Sequence, residues 1–122
     1  MKSLVIIAFL MIGVQGIAQD TFFQNSNKKA KDEAVKITNA YDRQLALDGE
    51  QILLFQQKVE EFLIRRYKIE KEFSGKEMLD LLYAMQAEET REMNNILTHA
   101  QLQLYKKIKP QIQPLEVVQT EK

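Results

Sequence analysis

The stretch "DGEQILLFQQKVEEFLIRRYKIEKEFSG", residues 48–75, decides the fold. Ile52, Phe55, Val59, Phe62, Arg66, Ile69 and Phe73 recur in steps of three and four. That spacing follows one face of an α-helix, not the alternation of a strand. The seam holds over three heptads and is broken once, by Arg66. Leu53, Leu54, Leu63, Ile64 and Tyr67 widen it beyond a two-helix seam. A helix of this length spans roughly 35 Å at about 1.5 Å per residue. Ser74-Gly75 ends it, with Gly75 free to adopt the left-handed conformation of a C-terminal cap.

The flanks carry the same period. From Lys28 to Ala46, Ala30, Ala34, Ile37, Tyr41 and Leu45 form an apolar stripe on a polar rod. From Lys76 to Leu97, Met78, Leu82, Met85 and Ile96 share a stripe, broadened by Leu79, Leu81, Tyr83 and Met93. The short break at Ser74-Gly75 makes the two long helices run antiparallel. A fourth helix is expected from Thr98 to about Lys109, because Pro110 and Pro114 oppose its continuation. The expectation is an all-α protein: a small bundle of about four helices built on a long antiparallel helical hairpin. No Gly-rich phosphate loop, nucleophile elbow or nucleotide motif interrupts it.

Two of these helices start with the same device. With Thr98 as N-cap, Gln101 falls at the third helical position and completes a capping box. Leu97 and Leu102 then form a hydrophobic staple across the start. Asp48 and Gln51 repeat the box, and Leu47 and Ile52 repeat the staple. The Thr98 cap alone should stabilise its helix by about 1 kcal/mol.

The N-terminal segment is different. A short basic start precedes the apolar run from Leu4 to Val14, and Gly16-Ile17-Ala18 places small residues before Gln19. This is the pattern of a secretory signal peptide cut after Ala18, and the run falls well short of the roughly 20 residues of a spanning helix. Residues 19–27 read as a flexible linker carrying Phe22 and Phe23, and residues 113–122 as a tail. The chain has no Cys, which removes disulfides and thiolate metal sites and, with export, points to a periplasm. Its 17 basic side chains balance 17 acidic ones. Loss of Lys2 leaves 16 against 17, so no strong field directs the mature chain to nucleic acid or to an anionic membrane.

The paired starts carry a family resemblance. Leu97-Thr98-x-x-Gln101, with Leu47-x-x-x-Gln51 and Asp48 in place of Thr, resembles the doubled Leu-Thr-x-x-Gln motif of the Spy/CpxP family of periplasmic helical proteins. The resemblance spans about residues 28–112. It implies a cradle-like dimer of bent helical hairpins that binds unfolded or partly folded proteins without ATP. It equally admits a regulatory or structural module docking on one envelope partner, such as a stress sensor.

Chemistry-bearing residues are sparse. His99 is the lone histidine, at the first turn of a helix. Met78, Met85 and Met93 have the spacing of packing residues more than of soft-metal ligands. Ser26 and Ser74 have no evident base, and Glu60-Glu61 and Glu88-Glu89 are adjacent pairs whose members face different ways; Glu61 is within reach of Arg65. The chain is therefore expected to be non-enzymatic, with no cofactor and no metal. The candidate client-binding residues are Arg65, Arg66, Lys68 and Phe62 mid-chain, with Lys106 and Lys107 near the end. Arg66 takes a seam position where an apolar residue normally sits. It either reaches out to solvent or marks the opening of a groove. The wide stripe exceeds what one hairpin covers, so a homodimer is expected.

Overall fold

The computed structural model describes residues 27–115. These residues form four helices and no strand: α1 over residues 27–45, α2 over Gly49–Glu72, α3 over Gly75–Met93 and α4 over His99–Ile112. The expected signal peptide, Phe22 and Phe23 lie outside the described residues. No helix among the described residues is long and apolar enough to cross a membrane.

The core has two parts. The larger gathers Tyr41 of α1, Phe55 of α2 and Tyr105 of α4 into one aromatic cluster. Tyr41 stacks on Tyr105 at 4.8 Å and meets Phe55 edge-on at 5.2 Å. Phe55 meets Tyr105 edge-on at 5.8 Å. Each such pair contributes about 0.5–1.5 kcal/mol beyond the area it buries. Ala30 and Ala34 let α1 approach closely, and Val59, Leu63, Met93, Leu97, Leu102 and Ile108 fill the rest. The smaller part packs Phe62 of α2 against Leu82 and Met85 of α3, and Leu115 closes it. α2 thus serves both cores, with Leu63 facing one and Phe62 the other.

Several boundaries differ from expectation, each for a local reason. α3 stops at Met93, four residues early. The amides of Asn94, Asn95 and Ile96 bond three residues back, to Arg91, Glu92 and Met93, which tightens the chain into a turn. This brings Leu97 into the core as the staple residue of α4. α4 runs three residues past Lys109 and contains Pro110. Pro110 forfeits only the bond to the Lys106 carbonyl, on an exposed turn where water can replace it. The amide of Gln113 still bonds to the Lys109 carbonyl at 2.7 Å. Gly75 does take a positive φ, of 62°, but as the opening residue of α3, while Phe73 ends α2 in extended conformation. On α1 the buried stripe is Ala30, Ala34, Thr38, Tyr41 and Leu45, with Ile37 displaced to partial burial.

α1 ends on Ala46, which has φ of 54°. Its amide bonds to the Asp42 carbonyl at 3.0 Å, and the Asp42 carboxylate takes the Leu47 amide at 2.8 Å. A left-handed Ala costs about 1–2 kcal/mol relative to a residue without Cβ strain. Ala46 is exposed and packs nothing. Ala46→Gly is therefore expected to raise the unfolding free energy by about 0.5–1 kcal/mol, after the added chain entropy of Gly is counted. Denaturant unfolding with an unchanged m-value checks this.

Candidate functional site

Both capping boxes form as expected. The Asp48 carboxylate accepts the Gln51 amide at 2.7 Å, and the Gln51 side-chain oxygen accepts the Asp48 amide at 3.1 Å. Thr98 and Gln101 do the same at 3.2 and 2.9 Å. The sequence did not show that the two boxes touch. Gln51 Nε2 donates to Gln101 Oε1 at 2.7 Å, and Gln101 Nε2 donates back to Gln51 Oε1 at 3.2 Å. Each amide then reaches into the connection that leads to the other helix. Gln51 Nε2 bonds the Ile96 carbonyl at 3.0 Å, and Gln101 Nε2 bonds the Leu45 carbonyl at 3.2 Å. The orientation is fixed by the backbone. Each Oε1 must face a cap amide, which is a donor only, so each Nε2 must face the acceptors. The repeated motif is thus one junction that ties the start of α2 to the start of α4.

A buried polar centre lies between α3, α4 and α1. Glu89 is 1% exposed and Lys109 is 7% exposed. Lys109 Nζ donates to Glu89 Oε1 at 2.8 Å and to the Tyr105 hydroxyl at 2.7 Å. The Tyr41 hydroxyl donates to Gln113 Oε1 at 2.6 Å, and Gln86 Nε2 donates to the Gln113 carbonyl at 3.1 Å. Two buried oxygens, Glu89 Oε2 and Thr38 Oγ1, have no hydrogen-bond partner among the described residues. The sequence presented Glu89 only as half of an adjacent acidic pair and Lys109 only as the expected end of α4; the structure buries the two against each other. The signal was present. Glu89 continues the stripe Leu82, Met85, Glu89, Met93, and Lys109 follows Tyr105 by four, as Arg66 follows Phe62 on α2.

Burial, with the nearby Glu89 charge second, raises the hydroxyl pKa values of Tyr41 and Tyr105 far above the usual 10.0. The stabilising effect of keeping these groups neutral is fully present below pH 10. It is lost above that, where the unfolded tyrosines ionise and the folded ones do not. The expected slope is about 1.4 kcal/mol per pH unit for each ring, so nearly 3 for the pair. Lys109 acts in the opposite direction. Burial pulls it below the usual 10.5 against the pull of Glu89, so its contribution rises towards that pH. The two rings outweigh it. Unfolding free energy should fall steeply above pH 10, and Tyr41→Phe should remove about half of the slope.

The candidate binding residues sit on two surfaces. Arg65 lies over the Phe62 ring at 4.5 Å and bonds Glu88 at 3.0 Å. Phe62 itself is 1% exposed, so a partner at this surface meets the guanidinium and not the ring. Glu61 pairs with Lys58 at 3.2 Å, and Lys58 also bridges to Glu92 at 2.7 Å, while Arg65 pairs with Glu88. Arg66 bonds Glu70 at 3.0 Å. Its half-buried side chain also borders a groove of about 480 Å³ beside Lys29, Tyr67 and Pro114. Lys29 lies over the Tyr67 ring at 4.7 Å, and the Tyr67 hydroxyl donates to Glu33. Lys68 is exposed, as are Lys106 and Lys107 on α4. Lys106 borders a second groove, of about 350 Å³, beside Tyr83, Pro110 and Leu115. Arg66 and Lys106 therefore border two grooves that share Gln113 and Pro114. Among the described residues, no three His, Cys, Asp or Glu side chains come together as a metal site.

No family model matches the chain, and neither does any curated protein or solved structure. The resemblance to the Spy/CpxP family rests on the residues quoted above.

Proposed function

We propose that the chain is a non-enzymatic helical binding protein that holds unfolded or partly folded proteins without ATP. Within that class, the reading is a Spy/CpxP-like protein of the periplasm, exported by the segment 1–18 and acting in envelope stress. The observation that carries it is the doubled motif. Its two halves open α2 and α4, and their glutamines bond to each other, so the repeat acts as a unit of the fold. Open grooves of mixed polar and apolar lining, with Lys29, Arg66 and Lys106 among their residues, support loose, sequence-tolerant contact. The ion pairs Lys58–Glu92 and Arg65–Glu88 run in opposite senses along α2 and α3, which supports a helical hairpin as the scaffold.

The cradle-like homodimer belongs to the same reading. α1, α4 and Leu115 cover much of the wide stripe, which leaves Leu53, at 64% exposure, and Leu54 for a second copy. Sedimentation of the chain without residues 1–18 should give twice the monomer mass, and Leu53→Glu should halve it.

The alternative is a regulatory module that docks on one envelope partner. Ordered ion pairs at Arg65 and Arg66 favour it, since fixed charges suit a fixed partner. Capture from an envelope extract separates the two. A broad spread of non-native proteins supports the chaperone reading, and a single stoichiometric partner supports the regulator.

A further inference from the structure

We infer that residues 113–115 occupy a binding site for an extended apolar segment, and that a client segment replaces them there. The identity of the occupant rests on the client-binding reading; the site itself does not. Leu115 is 5% exposed and sits in a socket with Phe62, Leu82 and Met85. Gln113 is the residue common to both open grooves and to a void of about 10 Å³ beneath it, room for about one water. Pro114 borders both grooves. The segment is thus a partition. With it lifted, the grooves join into one trough across α2 and α3, floored by Phe62, Leu63 and Met85 with Arg66, Gln86 and Glu89 among them.

The contacts that hold the partition include an apolar side chain in the socket, a side-chain amide on the Tyr41 hydroxyl, a backbone carbonyl on Gln86 and the Gln113 amide on the Lys109 carbonyl. Any extended chain supplies a backbone carbonyl, and any apolar side chain of suitable size fills the socket. Pro114 cannot continue α4, so the resident segment is itself a non-helical peptide. The groove edges are mixed in charge, with Lys29 and Arg66 against Glu33 and Glu70. Selection is therefore for an apolar residue in extended backbone, with little preference for charge. That is the chemistry of a non-native chain.

The test uses a fluorescent peptide with the sequence of residues 111–118, measured by anisotropy against three proteins. These are the wild type, Leu115→Asp, and a chain ending at Ile112, which removes the whole partition and covers the case that Leu115→Asp does not fold; helical content is checked by circular dichroism. The peptide should bind the altered chains about tenfold more tightly than the wild type, whose own segment competes. A reduced, alkylated protein that cannot fold should displace it. Equal affinity for all three proteins, or no binding to either altered chain, overturns the site. Binding without displacement overturns the client as its occupant. Peptide binding needs no aggregating client, so failure of the chaperone reading is scored separately.

Discussion

Lys109→Met should lower the unfolding free energy by about 3–5 kcal/mol, the largest effect expected of any polar substitution in this chain. The reason is what remains. Glu89 is almost fully enclosed, and only one of its oxygens has a partner, which is Lys109. Removing the ammonium takes away the ion-pair partner of a nearly enclosed carboxyl group, whose lost hydration is then poorly offset. Met keeps most of the volume, so the loss is not one of packing. The double substitution Glu89→Met with Lys109→Met should restore stability to within about 1 kcal/mol of wild type, or exceed it, because the ion pair itself contributes little net stability once both desolvation terms are counted. Denaturant unfolding of the two single variants and the double gives the cycle. A small effect from Lys109→Met would mean that water reaches Glu89.

Gln51→Glu is the second. An ordinary capping box accepts Glu as readily as Gln, and a negative charge at a helix start is favourable by a few tenths of a kcal/mol or more. The junction here does not accept it. A carboxylate cannot donate, so the bonds to the Ile96 carbonyl and to Gln101 Oε1 are lost and replaced by facing acceptors. At about 1 kcal/mol for each lost bond, plus the cost of the unpaired oxygens, the expected loss is about 2–3 kcal/mol. Gln101→Glu should behave alike, through the Leu45 carbonyl. The two alanine variants should be strongly non-additive, with a coupling of about 1–2 kcal/mol. If Gln51→Glu were neutral, the boxes would be two independent helix starts.

That contrast also explains what the sequence disclosed. Periodicity alone placed the helices, because the buried residues of α2 and α4 repeat in steps of three and four. Both caps were legible, since a capping box is a local device confined to a few residues. The junction was not, because its partners are 50 residues apart. The one hint was Gln, and not Glu, at both third positions. Arg66 stood out because it interrupts the longest seam, and it does border a groove while reaching the surface. Glu89 and Lys109 interrupt shorter stripes in the same way, but Glu89 read as half of an acidic pair with Glu88, and Lys109 as the last residue before Pro110. Of the Glu88-Glu89 pair, Glu89 points inward and carries the polar centre. The C-terminal segment gave no periodic signal at all. Its place in the socket depends on where α4 ends, and α4 runs through Pro110 to Ile112, past the expected stop.

The most direct measurement of the central proposal is suppression of aggregation. The chain without residues 1–18 is added to a chemically unfolded client as it is diluted from denaturant, in the absence of ATP, and light scattering is followed. The account predicts that scattering falls progressively with added chain and is largely abolished near stoichiometric amounts. Unchanged scattering at a several-fold excess, from a chain shown to be helical, would contradict it.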